Sequence, residues 1–548
     1  MAKAKGQNYM HGAAILTVGV IIMKILGFIY KIPLGNILGD EGYSMFMGAY
    51  NIYFIFFTLA TAGLPVALSR LVAEANVSGR ARQEEKLFRV ALRTFTVIGV
   101  IFALVMFLFP EWLAAEYLEN PDAALSIKAM SPAILLVCMV SAYRGFCQGQ
   151  GNMIPTTVDE VLEVLFKAVS GLIIAKLLID AGRGLPVGSA GAILGVSIGS
   201  VVSLLYMVIY KRRNYGSLGA DRAGTGRRLD GEPEDSVPVD SSWAMVRRLL
   251  SVGIPIAFGA CIMALLNSVD SKLCMNRLQS MAGFNYTQAK ILYGVYGKAQ
   301  TLFNLPAAFI TPLTIAIVPA ISGAIAKGDR GLAEKTSEDS MRISAAISMP
   351  MGAGLAVLSL PVMRVLYPNS HLAGPALLRI MGVASFFVCV VLMENAILQA
   401  SGREKLTMVT MISGSVVKIV INWFLVAQPA INIYGAPVGT LVSYLVMAVM
   451  NLVFIRTTLH QKPRLLRIFS GPVLSSALMG AAAWAVYGLC ARVIGRGGWM
   501  ETAVSMVAAM AVAVAVYLVS VIAFKTVTKE DMKLIPGGEK VAAFLHMG

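Results

Sequence analysis

The sequence predicts an all-α integral membrane protein with 14 transmembrane helices, arranged as two parallel six-helix repeats plus two extra C-terminal helices. Three observations predict it. Hydrophobic residues make up 57% of the 548 residues and charged residues 14%, against roughly 45–50% and 25% in soluble globular chains. Fourteen apolar runs recur along the chain, each close to the ~20 residues that cross a bilayer core as helix. Residue spacings in the first half return in the second at an offset near 250, the signature of an internal repeat.

Taken in order, the runs cover 13–33, 43–66, 89–109, 127–148, 155–179, 187–210, 249–271, 291–321, 342–366, 375–399, 406–428, 434–456, 470–491 and 500–524. The first precedes further spans and has no small-residue cleavage site, so it reads as a retained helix rather than a signal peptide. With the N-terminus cytoplasmic, the inside loops gather Arg70, Arg80, Arg82 and Lys86, then Lys211, Arg212, Arg213, Arg247 and Arg248, then Lys327, Arg330, Lys335, Arg403, Lys405, Arg456, Lys462 and Arg464. The connection after the third run carries Glu111, Glu116, Glu119 and Asp122 and no basic residue. This asymmetry places both termini in the cytoplasm. The net charge of +16 is then the inside-positive pattern plus attraction to anionic lipid, and no nucleic-acid partner is expected.

The repeat is carried by three matches. Gly79 to Glu85-Lys86 has the separation of Gly328 to Glu334-Lys335; Gln148, Gly151 and Lys167 have the spacing of Gln399, Gly402 and Lys418; Gly191-Ala192 with Gly195 corresponds to Gly435-Ala436 with Gly439. Six helices per copy is an even number, so both copies enter from one side and are parallel repeats, a carrier architecture. The expected division is an N-terminal bundle over 1–210, a cytoplasmic linker over 211–248, a C-terminal bundle over 249–457, and helices thirteen and fourteen with a tail over 458–548. The linker is rich in Gly, Pro and charge.

Charges that persist inside apolar runs normally face a cavity or a partner. Lys24 and Lys31 lie seven residues apart, two helical turns, and so form one cationic stripe; either the stripe lines a cavity, or Lys31 snorkels to the interface. In the fifth run Glu163 and Lys167 are an i, i+4 pair, which reads as mutual neutralisation beside interfacial Asp159 and Glu160. Lys418, the repeat mate of Lys167, has no carboxylate three or four residues away. Lys298 precedes a stretch with Pro306, Pro312 and Pro319; interrupted helix at depth lines protein or water, which makes Lys298 the leading cavity cation. Asn267 and Asp270, one turn apart, and Glu394 beside Asn395 are candidate ligands for a coupling ion, or polar contacts between helices. Sodium or proton coupling is the expectation, with no cofactor.

The enzyme classes lack their residues. The chain has no GxxxxGK[ST] loop, no HExxH and no histidine constellation, its four histidines being scattered. Six cysteines lie in or beside apolar runs without C-x-x-C spacing, so free thiols are expected.

Lys24 to Lys31 (KILGFIYK), followed by Leu38 to Tyr43 (LGDEGY), resembles the opening of polysaccharide biosynthesis proteins of the stage V sporulation protein B type. The stretch Tyr143 to Thr156 (YRGFCQGQGNMIPT) is similar to their second signature, and Ala62 to Pro65 (AGLP), Ser69-Arg70 and Asn267 to Ser271 (NSVDS) match further. The resemblance covers roughly residues 10–460 and is to a branch of the multidrug/oligosaccharidyl-lipid/polysaccharide exporter superfamily, with the MATE-like fold. It implies a flippase that moves an undecaprenyl-pyrophosphate-linked saccharide, lipid II foremost, across a bacterial cytoplasmic membrane by alternating access. By the same resemblance Lys298 before Leu305-Pro306 stands where lipid II flippases carry a basic residue, usually Arg. Lys24 fills the first-helix basic position, the next basic slot is Tyr30 with its charge moved to Lys31, and Arg70 matches a basic position at the end of the second helix. The implied partners are a lipid-linked oligosaccharide pyrophosphate, membrane lipid and cell-wall synthesis machinery. Two other functions compete: a MATE-type drug/cation antiporter, which should prefer acidic cavity residues, and a non-transporting scaffold for envelope assembly. Another lipid-linked polysaccharide or a teichoic precursor is the alternative cargo.

Overall fold

The computed structural model describes residues 9–78, 80–215, 240–459, 464–495, 498–524 and 526. Those residues form helices joined by turns, with no strand among them. In chain order the long helices are α1 (Tyr9–Thr61), α2 (Leu64–Val77), α3 (Ala81–Leu108), α4 (Ala124–Gly149), α5 (Ile154–Asp180), α6 (Leu185–Tyr215), α7 (Ser242–Ser280), α8 (Tyr286–Phe303), α9 (Leu305–Ala326), α10 (Arg330–Val357), α11 (Ser359–Leu366), α12 (Gly374–Ala400), α13 (Glu404–Leu425), α14 (Gly435–Leu459), α15 (Leu465–Val493) and α16 (Trp499–Ala523). Helix prevails because hydrocarbon offers backbone N–H and C=O groups no water, so each must be satisfied within its own segment.

Every apolar run of the sequence falls on a helix or a helix pair. Among the described residues ten helices are long and apolar enough to cross a bilayer, or eleven if α10 and α11, bent by 76°, count as one span. The chain is therefore a multi-pass membrane protein. Two expected runs share α1 and α2, which pass together as Val18–Val77. They part at Gly39, whose φ of 66° and ψ of −170° are open essentially to glycine alone. The eighth run divides between α8 and α9 at Asn304, where Leu305-Pro306 opens a new helix. The fifth run, on α5, carries Glu163, Lys167 and Lys176 within its apolar stretch, and that charge load lowers its hydropathy.

The chain divides into two compact units, Met1–Lys272 and Leu273–Gly548. In the first unit α4 is central and buried along most of its length, from Ser126 to Gly149. The second arm of α1 carries an aromatic ladder, Phe46 to Tyr50, Tyr50 to Tyr53 and Tyr53 to Phe57, with ring centroids 5.5–5.7 Å apart, because residues three or four apart share a helix face. α5 and α6 meet backbone to backbone: a Cβ at Gly195 would lie 2.5 Å from the Gly171 Cα, the close approach that small residues permit between membrane helices. Most of α7 belongs to this unit. Gln83 Nε2 donates to Asp240 Oδ2 (3.1 Å), Arg248 pairs with Glu74 (3.2 Å), and Lys272 Nζ donates to the Glu116 carbonyl (2.7 Å).

In the second unit α12 takes the central place, buried at Leu377, Met381, Cys389, Met393 and Ile397 among others. α15 and α16 pack together around Met479, Ala483, Ala509 and Ala513 with Leu358. Tyr517 of α16 also donates its hydroxyl to the Ala346 carbonyl of α10. The repeat is visible in the turns that end α4 and α12. Gly151 (φ 74°) donates to Gln148 O and Asn152 to Cys147 O; Gly402 (φ 71°) donates to Gln399 O and Arg403 to Leu398 O. Both are the same left-handed glycine cap with its 6→1 and 5→2 bonds. All six cysteines are free thiols.

Candidate functional site

The charged interior of the first unit is built around Arg144 on α4, 8% exposed. Its Nε lies 2.9 Å from Asp159 Oδ2, its Nη2 2.9 Å from Glu163 Oε2 and its Nη1 3.6 Å from Glu160 Oε1. Ser203 of α6 donates to the same Asp159 oxygen at 2.9 Å. Asp159 is fully buried, which a carboxylate tolerates only when paired and hydrogen-bonded. Glu163 thus gains a tertiary partner in Arg144 besides its expected i, i+4 electrostatic interaction with Lys167. A guanidinium presents five donors in a fixed fork and can serve several carboxylates at once, which an ammonium on the same helix cannot match. Lys167 also sits over the Tyr50 ring, 6.0 Å from its centroid. Pattern reading passed over Arg144, although its signal was present: it is the one basic residue in the run 127–148 other than Lys128.

The first-helix lysines are placed unequally. Lys24 is exposed on the protein surface and Lys31 is half-buried; Lys24 and Lys167 both act on Lys31 electrostatically. Three cations, two from α1 and one from α5, therefore share one region of the first unit. Arg70 is not among them: its side chain is 70% exposed and pairs with Glu74 (3.2 Å), which also binds Arg248. Asp270 is buried at 6% exposure and has a polar partner. The side chain of Asn267 lies outside the described residues.

In the second unit Lys298 is 2% exposed. It stands on α8 less than two turns before the break at Asn304, with its ammonium 5.2 Å from the Tyr367 ring centroid. Tyr367 follows α11 directly, so the bend between α10 and α11 is what carries the ring to the lysine. Lys418 is half-buried on α13, and its carbonyl lies 3.4 Å from where a Cβ on Gly439 would be, as the Lys167 carbonyl lies 2.8 Å from one on Gly195. The two repeat-mate lysines thus hold matching places. Glu394 on α12 is wholly buried beside Asn451, whose Nδ2 donates to Asn395 Oδ1 at 3.0 Å.

An apolar cavity of about 360 Å³ opens between α10, α11, α15 and α16, lined by Pro350, Met351, Leu355, Met479, Met510 and Leu518 among others. Its walls offer methionine, leucine and valine, with Tyr517 as the polar exception.

The sequence pattern of the polysaccharide biosynthesis protein family matches residues 9–325, and that of the MatE family residues 290–424. The chain is 26% identical to the lipid II flippase MurJ of Bacillus subtilis (strain 168), covering 93% of this chain and 94% of that protein. To stage V sporulation protein B of the same organism it is 25% identical, over 97% and 98%. Among solved structures, the lipid II flippase MurJ in an inward closed conformation aligns with a TM-score of 0.67 at 13% identity, covering 93% of this chain and 98% of that one. An inward-facing multidrug resistance MATE family transporter aligns with a TM-score of 0.63 at 14% identity, over 82% and 98%. The shared fold is the MATE-like fold, and of these proteins MurJ is a lipid II flippase and the MATE neighbour a multidrug transporter.

Proposed function

Because this chain belongs to the polysaccharide biosynthesis protein family, we propose that it is a flippase, carrying a lipid-linked saccharide pyrophosphate from the inner to the outer leaflet of the bacterial cytoplasmic membrane by alternating access. Lipid II is the cargo we favour. The observation that carries the reading is Lys298: a cation 2% exposed, on a helix that breaks within two turns. A pyrophosphate leaving water needs fixed positive charge, and a cation stabilises it far more in low dielectric than at a surface.

Further candidate cations for the headgroup are Lys24, Lys31 and, on the exposed Glu74–Arg248 network, Arg70 in the first unit, and Lys418 in the second. Tyr367 holds the Lys298 ammonium by its ring face. The polyprenyl tail stays in lipid while the head crosses, and the apolar cavity against α15 and α16 is the groove that receives it. Asp270, Asn267 and Glu394 are the candidates for a coupling sodium ion or proton. Both termini face the cytoplasm, and cell-wall synthesis machinery consumes what is delivered.

The test is complementation of a strain depleted of its lipid II flippase, scoring lipid II on the outer leaflet for wild type and Lys298→Ala at equal membrane abundance. Rescue by wild type with at least about tenfold less exposed lipid II in the variant is expected, the loss of one charge-assisted contact. Full rescue by Lys298→Ala would remove the cationic path. Failure of correctly inserted wild type would point to another lipid-linked glycan.

A further inference from the structure

Three connections of the second unit converge at one end: the start of α8, the segment between α11 and α12, and the 3-10 turn Asn432–Tyr434 that precedes α14. They enclose a second cavity, of about 220 Å³, lined by Phe284, Gln288, Ile291, His371, Asn432 and Tyr434 among others. Among the described residues no lysine, arginine, aspartate or glutamate lines it. The cavity therefore lacks the charge-assisted donors that phosphate recognition uses. What it offers is neutral: two amides, an imidazole, a phenol and two aromatic faces, all within one small concavity.

Its polar side chains are held by short-range bonds. Asn285 Oδ1 accepts from Gln288 N (2.9 Å), and Gln288 Oε1 accepts from Asn285 N (3.1 Å). That capping box uses the glutamine's oxygen and orients its NH₂. Ala373 N donates to His371 Nδ1 (3.2 Å), and an accepting Nδ1 puts the ring proton on Nε2. Asn432 sits in the left-handed region at φ 44°, its Oδ1 accepting from Ile433 N (2.7 Å) and its Nδ2 donating to Pro429 O (3.1 Å). That turn fixes where Tyr434 stands. Pre-oriented donors and acceptors of this kind are what a specific polar site requires.

We infer that this cavity binds one sugar ring of the cargo's headgroup, separately from the cations that hold its pyrophosphate. A sugar ring presents neutral hydroxyl and amide groups, which pair with amide, imidazole and phenol without charge, and C–H faces that suit Phe284 and Tyr434. The volume fits as well, being below the roughly 300–1,000 Å³ of pockets for drug-sized ligands. The inference rests on reading the cargo as a lipid-linked saccharide and adds a subsite to it.

The experiment uses the purified full-length chain in detergent, with N-acetylglucosamine as a soluble probe and inorganic phosphate as its counterpart, binding being read by saturation-transfer NMR. Wild type should bind the sugar. His371→Ala and Gln288→Ala, both at exposed positions and both checked against wild type by thermal midpoint, should bind it about two- to tenfold more weakly, as the loss of a neutral hydrogen bond predicts. Lys176→Ala, at an exposed position of α5, should bind it as wild type does. No sugar binding by wild type, undiminished binding by both pocket variants, or a stronger response to phosphate than to sugar would each overturn the inference. Because the probe has neither lipid nor phosphate, failure here leaves the flippase reading standing, and failed complementation leaves the pocket standing.

Discussion

Arg144 is the residue on which the interior of the first unit depends. One guanidinium meets three carboxylates, and of these Asp159 is wholly buried with a further bond from Ser203. Removing one partner of a buried pair costs about 3–5 kcal/mol, because it strands the other charge. Arg144→Gln should therefore lower the thermal midpoint of the detergent-purified protein sharply. Ser203→Ala, which takes away a single hydroxyl, should cost about 1 kcal/mol. A thermal midpoint for Arg144→Gln equal to that of wild type would show that the cluster does not hold the fold. The sequence displayed each of these charges but not their pairing. A local rule joins Glu163 to Lys167, whereas its ion-pair partner Arg144 lies 19 residues away across a turn. Lys298 was legible as a buried cation beside a break; its neighbour Tyr367 was not, since the two are brought together by the bend between α10 and α11.

The helix pairs α5–α6 and α13–α14 share a device. A glycine on the second helix, Gly195 or Gly439, faces the carbonyl of the repeat-mate lysine on the first, Lys167 or Lys418. In the first pair the approach is as close as two backbones allow, and an added Cβ at Gly195 would meet Gly171 at 2.5 Å. Gly195→Ala should thus part the helices and cost about 1–3 kcal/mol by overpacking. Gly27→Ala makes a matched control, since a Cβ there meets nothing within 4 Å; the change should be neutral or mildly stabilising, as alanine is the better helix former. Equal thermal midpoints for the two variants would contradict the close approach. The sequence disclosed this repeat through spacing alone, because a glycine that must admit a backbone keeps its place relative to the turn before it. It did not disclose where helices break: α8 and α9 read as one run, since hydropathy continues smoothly through Leu305-Pro306 while the backbone does not.

For the molecule as a whole, the arrangement of basic loops makes a directional prediction. Val77, at the end of α2, and Leu372, between α11 and α12, are 80% and 87% exposed. Five of the six native cysteines are buried, so background labelling is low. In intact cells a membrane-impermeant maleimide should label Leu372→Cys, and should reach Val77→Cys only after permeabilisation. The reverse pattern would invert the orientation.

Membrane residence, helical class and the doubled plan follow from hydropathy, charge and spacing read along the chain. They are legible there because insertion into a bilayer is decided segment by segment, from properties that add up over some twenty neighbouring residues. The guanidinium shared by three carboxylates, the ring beside Lys298 and the uncharged cavity formed by three connections have no such local signature. Each joins residues from separate helices, and which of them meet is settled by how the helices pack once they are in place.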